Sequence, residues 1–212
     1  MFIRNLKSEE VDLIRRVEIF VKDASQTHNG RDPSHVFEVV RLSVEIARRV
    51  PHPVHPLILI LTCLFQDLGV SIAGDNSVSG FIGAAVAESF LRVAGISDLE
   101  RIQIVRAVAM AGAFGVMSPE TIEEKVVFDA LRLNNMGLVG LVKDLQDHLG
   151  SPDEYLQERL MSYQADYEAL FFEESRQLGE PLYNQSRILA ENLAKAFQLR
   201  PVSIDQIILP QQ

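Results

Sequence analysis

Apolar residues recur three and four apart along most of this chain, and that spacing confines it to packed amphipathic helices. Val11, Ile14, Val17 and Val21 form one stripe, with Ser8 placed as its N-cap. Asp32-Pro33-Ser34 reads as a second helix start. Val36, Val39, Val40, Ser43, Val44, Ile46 and Ala47 then share a broad face up to Pro51. The prolines from Pro53 to Pro56 break the chain before an apolar helix from Leu57 to Asp67. Gly69 to Ser79 is expected as a loop turning at Gly74-Asp75-Asn76. A small-residue helix follows from about Gly80 to Val93, and its Gly83-Ala84-Ala85 admits a close neighbour.

Cap signals divide the second half. Ser97-Asp98-Leu99-Glu100 is a capping box for a helix to about Met110. Ser118-Pro119-Glu120 leads into Ile122 to Leu133, and Ser151-Pro152-Asp153-Glu154 opens a helix predicted to reach about Leu178. Gly179-Glu180-Pro181 is expected to separate it from a last helix, Leu182 to Phe197. The tail carries Ile207-Ile208-Leu209-Pro210, aliphatic enough to dock. No alternating β-branched run bounded by hairpin turns appears. The expectation is an all-α bundle with irregular crossings and about eight helices. It would form one domain over 1–212, with a core of about 30–145 and C-terminal helices of about 152–198 packing on it.

Charge narrows the partners. The net charge of −9 and pI near 5.0 argue against a nucleic-acid backbone surface, which needs clustered cations. A small phosphate-containing ligand held by a few local cations stays compatible. The single cysteine, Cys63, lies in the apolar run and reads as a buried, inert thiol. The longest apolar run, Leu57 to Phe65, is short of the ~20 residues that span a bilayer, and no signal-peptide core follows Met1. The chain is expected to be cytoplasmic with no membrane partner. The predicted helix from Asp153 to Leu178 would pack internally or across a homodimer interface.

Four stations on this frame carry chemistry. Gln66-Asp67 closes the most apolar helix, where a carboxylate is costly to desolvate without a cation, so Asp67 is a metal ligand or an ion-pair member. His35 stands in the first turn of its helix. Asp129 lies in the apolar stretch Val126 to Leu131, with Arg132 one helical step on. A histidine and two aspartates from three helices suit a hard divalent ion. The plainer alternatives are a backbone-bonded His35 and aspartates paired to arginines such as Arg41 or Arg106. Of the other histidines, His28 precedes His35 closely enough to reach the same pocket. His52 and His55 fall in a proline-bounded surface turn, and His148 lies near a helix end.

In this order the stations resemble the HD superfamily of metal-dependent phosphohydrolases, closest to a group of small stand-alone HD proteins. Ser118 to Leu133 is similar to that group's P-x-T-x-E-x-K-I-V-x-D-A-D-R-L segment, and Asn134-Asn135-Met136-Gly137-Leu138-Val139-Gly140-Leu141 continues it. The similarity spans about residues 30–197. It implies an HD-domain-like bundle and a metal set of His35, Gln66, Asp67 and Asp129 holding Mg, Mn, Ni or Fe. Metal-polarised water would then attack phosphorus in a nucleotide or other phosphate ester. Asp67 is expected among the catalytic residues, with Arg132 or Lys125 balancing phosphate charge.

The departures are specific. The His-Asp dyad is Gln66-Asp67 here, and a glutamine oxygen is neutral and a weaker ligand than imidazole for transition metals. Gly112 stands nearest a pocket histidine of the family, Leu131 replaces the second aspartate of D-A-D-R-L, and Ser71 to Asn76 holds no histidine. These changes leave two expectations open. One is a phosphohydrolase with a weakened metal site; the other is an inactive HD-like protein serving as a small-ligand-binding or protein-interaction module.

Overall fold

The computed structural model describes residues 1–29, 34–74, 78–113, 116–147 and 152–200. Its named elements are all helices: α1 (Ser8–Asn29), α2 (Ser34–Arg49), α3 (Pro56–Phe65), α4 (Leu68–Ala73) and α5 (Ser79–Ala94), then α6 (Asp98–Ala111), α7 (Ile122–Met136), α8 (Leu138–Asp147), α9 (Pro152–Glu168) and α10 (Glu173–Gln198). An isolated parallel β-bridge joins Phe2 to Val54. The chain divides into two compact units: Met1–Asn134 with Leu170–Ser175, and Asn135–Ala169 with Arg176–Gln212.

The first unit is built around α3. Nine of its ten residues, all but Ile60, are buried, and α1, α2, α5 and α6 surround it. Pro56 begins α3 where its missing N–H costs nothing. The N–H of the preceding His55 donates to Glu123 Oε1 at 2.6 Å. Phe20 of α1, Phe65 of α3 and Phe90 of α5 form an aromatic trio, with centroids 5.0 to 6.5 Å apart. Together α3 and α4 make a stretch, Pro56–Ala73, that is long and apolar enough to cross a membrane by composition alone. In the fold 72% of it is buried, as expected of a core segment. Cys63 is buried there, its Sγ donating to Ser43 Oγ at 3.2 Å, and burial pushes its thiol up to about 12.

Glycines bring α4, α5 and α6 into backbone contact. A Cβ on Gly69 would meet the Ser79 carbonyl, and one on Gly80 would lie 2.6 Å from Ala109 O. Gly83 faces Gly69, the close approach that Gly83-Ala84-Ala85 suggested.

The second unit contains α8, α9 and most of α10. Tyr167 and Tyr183 stack at 5.1 Å between α9 and α10, and the Arg159 guanidinium lies 4.7 Å from the Tyr163 ring centroid. Arg159 also donates to Asn135 O at 3.0 Å.

Four sequence expectations shift. The loop expected from Gly69 to Ser79 begins as α4, because Leu68 and Ser71 are buried and pull the chain inward. α7 is capped at Thr121, not Ser118: the Glu124 N–H donates to Thr121 Oγ1 and the Thr121 N–H to Glu124 Oε2. α8 adds a helix over Leu138–Asp147. The last break falls at 169–172 rather than at Gly179-Glu180-Pro181, and α10 runs through Pro181. The turn at Asp75-Asn76, the start at Asp32-Pro33, the side chain of His28, His148 and the tail at Ile207 to Pro210 lie outside the described residues.

Candidate functional site

His35 and Asp67 meet. His35 stands in the first turn of α2, and its Nε2 is 3.1 Å from Asp67 Oδ2, with both side chains mostly buried. Asp67 occupies the corner between α3 and α4, where it also accepts from Ser71 Oγ at 3.4 Å. Gln66, one residue earlier, is 7% exposed, and its amide nitrogen is buried with no hydrogen-bond partner among the described residues. The carboxylate at the end of the apolar helix is thus met by an imidazole. Arg41 engages Glu38 and Glu45, and Arg106 engages Glu120 and Glu124, so each binds glutamates where the sequence suggested an aspartate.

Asp129 is used differently. It is fully buried on α7, and its two oxygens accept the backbone N–H groups of Phe171 at 2.9 Å and Phe172 at 3.1 Å. Those amides immediately precede α10, where the positive end of the helix favours an anion. Lys125 Nζ lies 5.7 Å from the Phe171 ring centroid, and the Arg132 guanidinium stacks 3.8 Å from that of Phe128. Phe128 and Phe171 meet edge to face at 5.0 Å.

A metal centre needs several donors converging on one point, and among the described residues no three His, Cys, Asp or Glu side chains do so. His35 and Asp67 supply two. Asp129 has each oxygen on an amide, and Gln66 presents at least one orphaned amide atom. As arranged, these residues do not fit a four-ligand divalent site.

The segment that carried the resemblance also holds the fold together. Glu123 accepts the His55 N–H at the start of α3. Glu124, 1% exposed, accepts from Glu120 N–H, Thr121 N–H and Arg106, and raises the Arg106 pKa. Sequence reasoning missed Glu123 and Glu124, although Thr121-x-x-Glu124 is a capping-box spacing. It also missed Phe171 and Phe172, whose backbone role no local pattern announces. Gly112, nearest a pocket histidine of the resembled family, ends α6 against Gly80: a Cβ there would lie 2.8 Å from Gly80 N and closer still to its Cα. This backbone crossing leaves no space for an imidazole stem.

The described residues form an all-α helical fold, and a solved structure shares it. A crystal structure of a predicted HD superfamily hydrolase from an uncultured Thermotogales bacterium matches it with a TM-score of 0.61. The match covers 86% of this chain and 92% of that one, at 20% identity. At that identity the likeness establishes the fold alone. No protein-family model and no curated protein matches the chain.

Proposed function

We propose that this chain is an HD-fold protein that binds a partner or small ligand without hydrolysing it. The observation that carries this reading is the division of labour among its HD-type residues. His35 and Asp67 pair at the α3–α4 corner, while Asp129, Lys125 and Arg132 are engaged with Phe171, Phe172 and Phe128. Hydrolysis of a phosphate ester needs an activated water and cationic groups aimed at one phosphorus. The contact point offered to a small ligand is the corner at His35, Gln66 and Asp67, where the buried Gln66 amide nitrogen has a hydrogen bond to give.

A second reading keeps a metal-dependent phosphohydrolase with a weakened site, acting on a nucleotide or other phosphate ester. It is favoured by the His35–Asp67 distance of 3.1 Å. Two cis ligands about 2.1 Å from one octahedral ion stand about 3 Å apart. Mg²⁺, Mn²⁺, Ni²⁺ or Fe²⁺ with several waters would be the ion.

Metal uptake and turnover separate the two. Purified protein is titrated with Mn²⁺, Mg²⁺, Ni²⁺ and Fe²⁺ up to millimolar and assayed on nucleotides and a generic phosphomonoester. The binding reading expects no stoichiometric ion and no turnover. Metal-dependent turnover that disappears in His35→Ala and Asp67→Asn would overturn it.

A further inference from the structure

We infer that Asp129 is the anchor that fixes the segment Leu170–Ser175 on α7 and thereby decides where α10 begins. The inference rests on the reading above that Asp129 does not ligate a metal, and it gives this carboxylate a different task.

A fully buried carboxylate is expensive unless hydrogen bonds replace its water. Here two N–H donors do so, at 2.9 and 3.1 Å, and hydrogen bonds to an ionised acceptor are about twice as strong as neutral ones. The donors are consecutive, from Phe171 and Phe172, and α10 starts at the next residue. A backbone that presents two successive N–H groups to one carboxylate cannot also spend both within an unbroken helix, so the break is explained at 169–172. The residues there, Ala169-Leu170-Phe171-Phe172, contain no glycine or proline. The nearest Gly and Pro, Gly179 and Pro181, lie inside α10.

The rest of the α7 face agrees. Lys125, Phe128, Asp129 and Arg132 stand at i, i+3, i+4 and i+7, one side of a helix. Lys125 and Phe128 flank the Phe171 ring, and Arg132 backs Phe128. Leu170 and Phe172 are buried at 1% and 8% exposure, and the Phe172 ring lies 5.9 Å from His52. The segment is thus held by its amides, one aromatic ring and two buried side chains, with Asp129 at the centre.

Amide hydrogen exchange at Phe171 and Phe172 tests this, compared between the full chain and Asp129→Asn. Asparagine keeps the size but loses the charge and turns one oxygen into a donor facing a donor. Exchange at those two amides should accelerate about 10- to 100-fold, the equivalent of one charged hydrogen bond, with α3 unchanged. Equal exchange in the variant overturns the anchor. Should Asp129→Asn fail to fold, Phe171→Pro removes one donor and leaves the carboxylate, and accelerated exchange at Phe172 is then expected; unchanged exchange refutes the inference. A parallel Mg²⁺ titration keeps the two claims apart. Stoichiometric binding lost in Asp129→Asn overturns the non-metal reading, while unaltered exchange without metal binding overturns only the anchor.

Discussion

Restoring a histidine at Gly112 is the obvious way to rebuild an HD-type pocket, and the structure predicts that it breaks the fold first. Gly112 is the C-cap of α6 at φ −101°, ψ 3°, a conformation open to any residue, so the cost of a side chain there is steric. The first added carbon would sit 2.8 Å from Gly80 N and nearer to Gly80 Cα, both backbone atoms that no rotamer change can move. Overpacking of this kind costs about 1–3 kcal/mol, and Gly112→Ala gains back about 0.4–1 kcal/mol from a less flexible unfolded chain. With two backbone atoms under 3 Å the upper end of that range applies, and a net loss of about 2 kcal/mol lowers Tm by about 4–8 °C at this chain length, read from the helical circular dichroism on heating. Gly112→His adds a ring to the same crossing and should melt lower still. Gly83→Ala is the control: its nearest neighbour is 3.1 Å away, and alanine in a helix interior returns about 1 kcal/mol, so its Tm should lie close to that of the parent. If Gly112→Ala melts with the parent, α5 and α6 are not in backbone contact, and the packing explanation for the missing histidine fails.

Two further perturbations follow from buried charge. The Arg4 guanidinium, hydrogen-bonded to Glu10, holds that carboxyl at about 2, below its ordinary 4.5. A depressed folded value stabilises above pH 4.5 and loses that stability as pH falls from 4.5 through about 2. The effect is about 1–2 kcal/mol after screening at the partly exposed Arg4, and Glu10→Gln should flatten this limb of a pH–stability curve. Glu124→Ala leaves Arg106 with Glu120 and frees the Glu120 and Thr121 amides at the start of α7, at a cost of about 2 kcal/mol in chemical denaturation. A loss below 1 kcal/mol would mean that the cap and the ion pair are dispensable.

Most of the bundle is legible because its helices obey local rules. The stripe through Val11 and Val17, the cap at Ser97 and the helix starts at Pro56 and Pro152 are each set within a few residues, and the structure agrees with them. What sequence could not supply are decisions made at a distance. Pro181 looked like a helix end, yet α10 passes through it while the chain breaks eleven residues earlier beside Asp129. The corner at His35 and Asp67 was visible as residue types, and the two side chains do meet. Asp129 looked like their partner because its type and apolar neighbours suit a ligand. Those same properties suit a buried acceptor for backbone amides, and only the tertiary contact separates the two uses.

Cys63 offers a use that its chemistry does not suggest. One thiol, sealed in the central helix and shifted to about 12, is nearly unreactive while the core stays closed. Its alkylation in dilute reagent therefore keeps time with the opening of α3, and the unmodified chain carries its own clock for the breathing of its core.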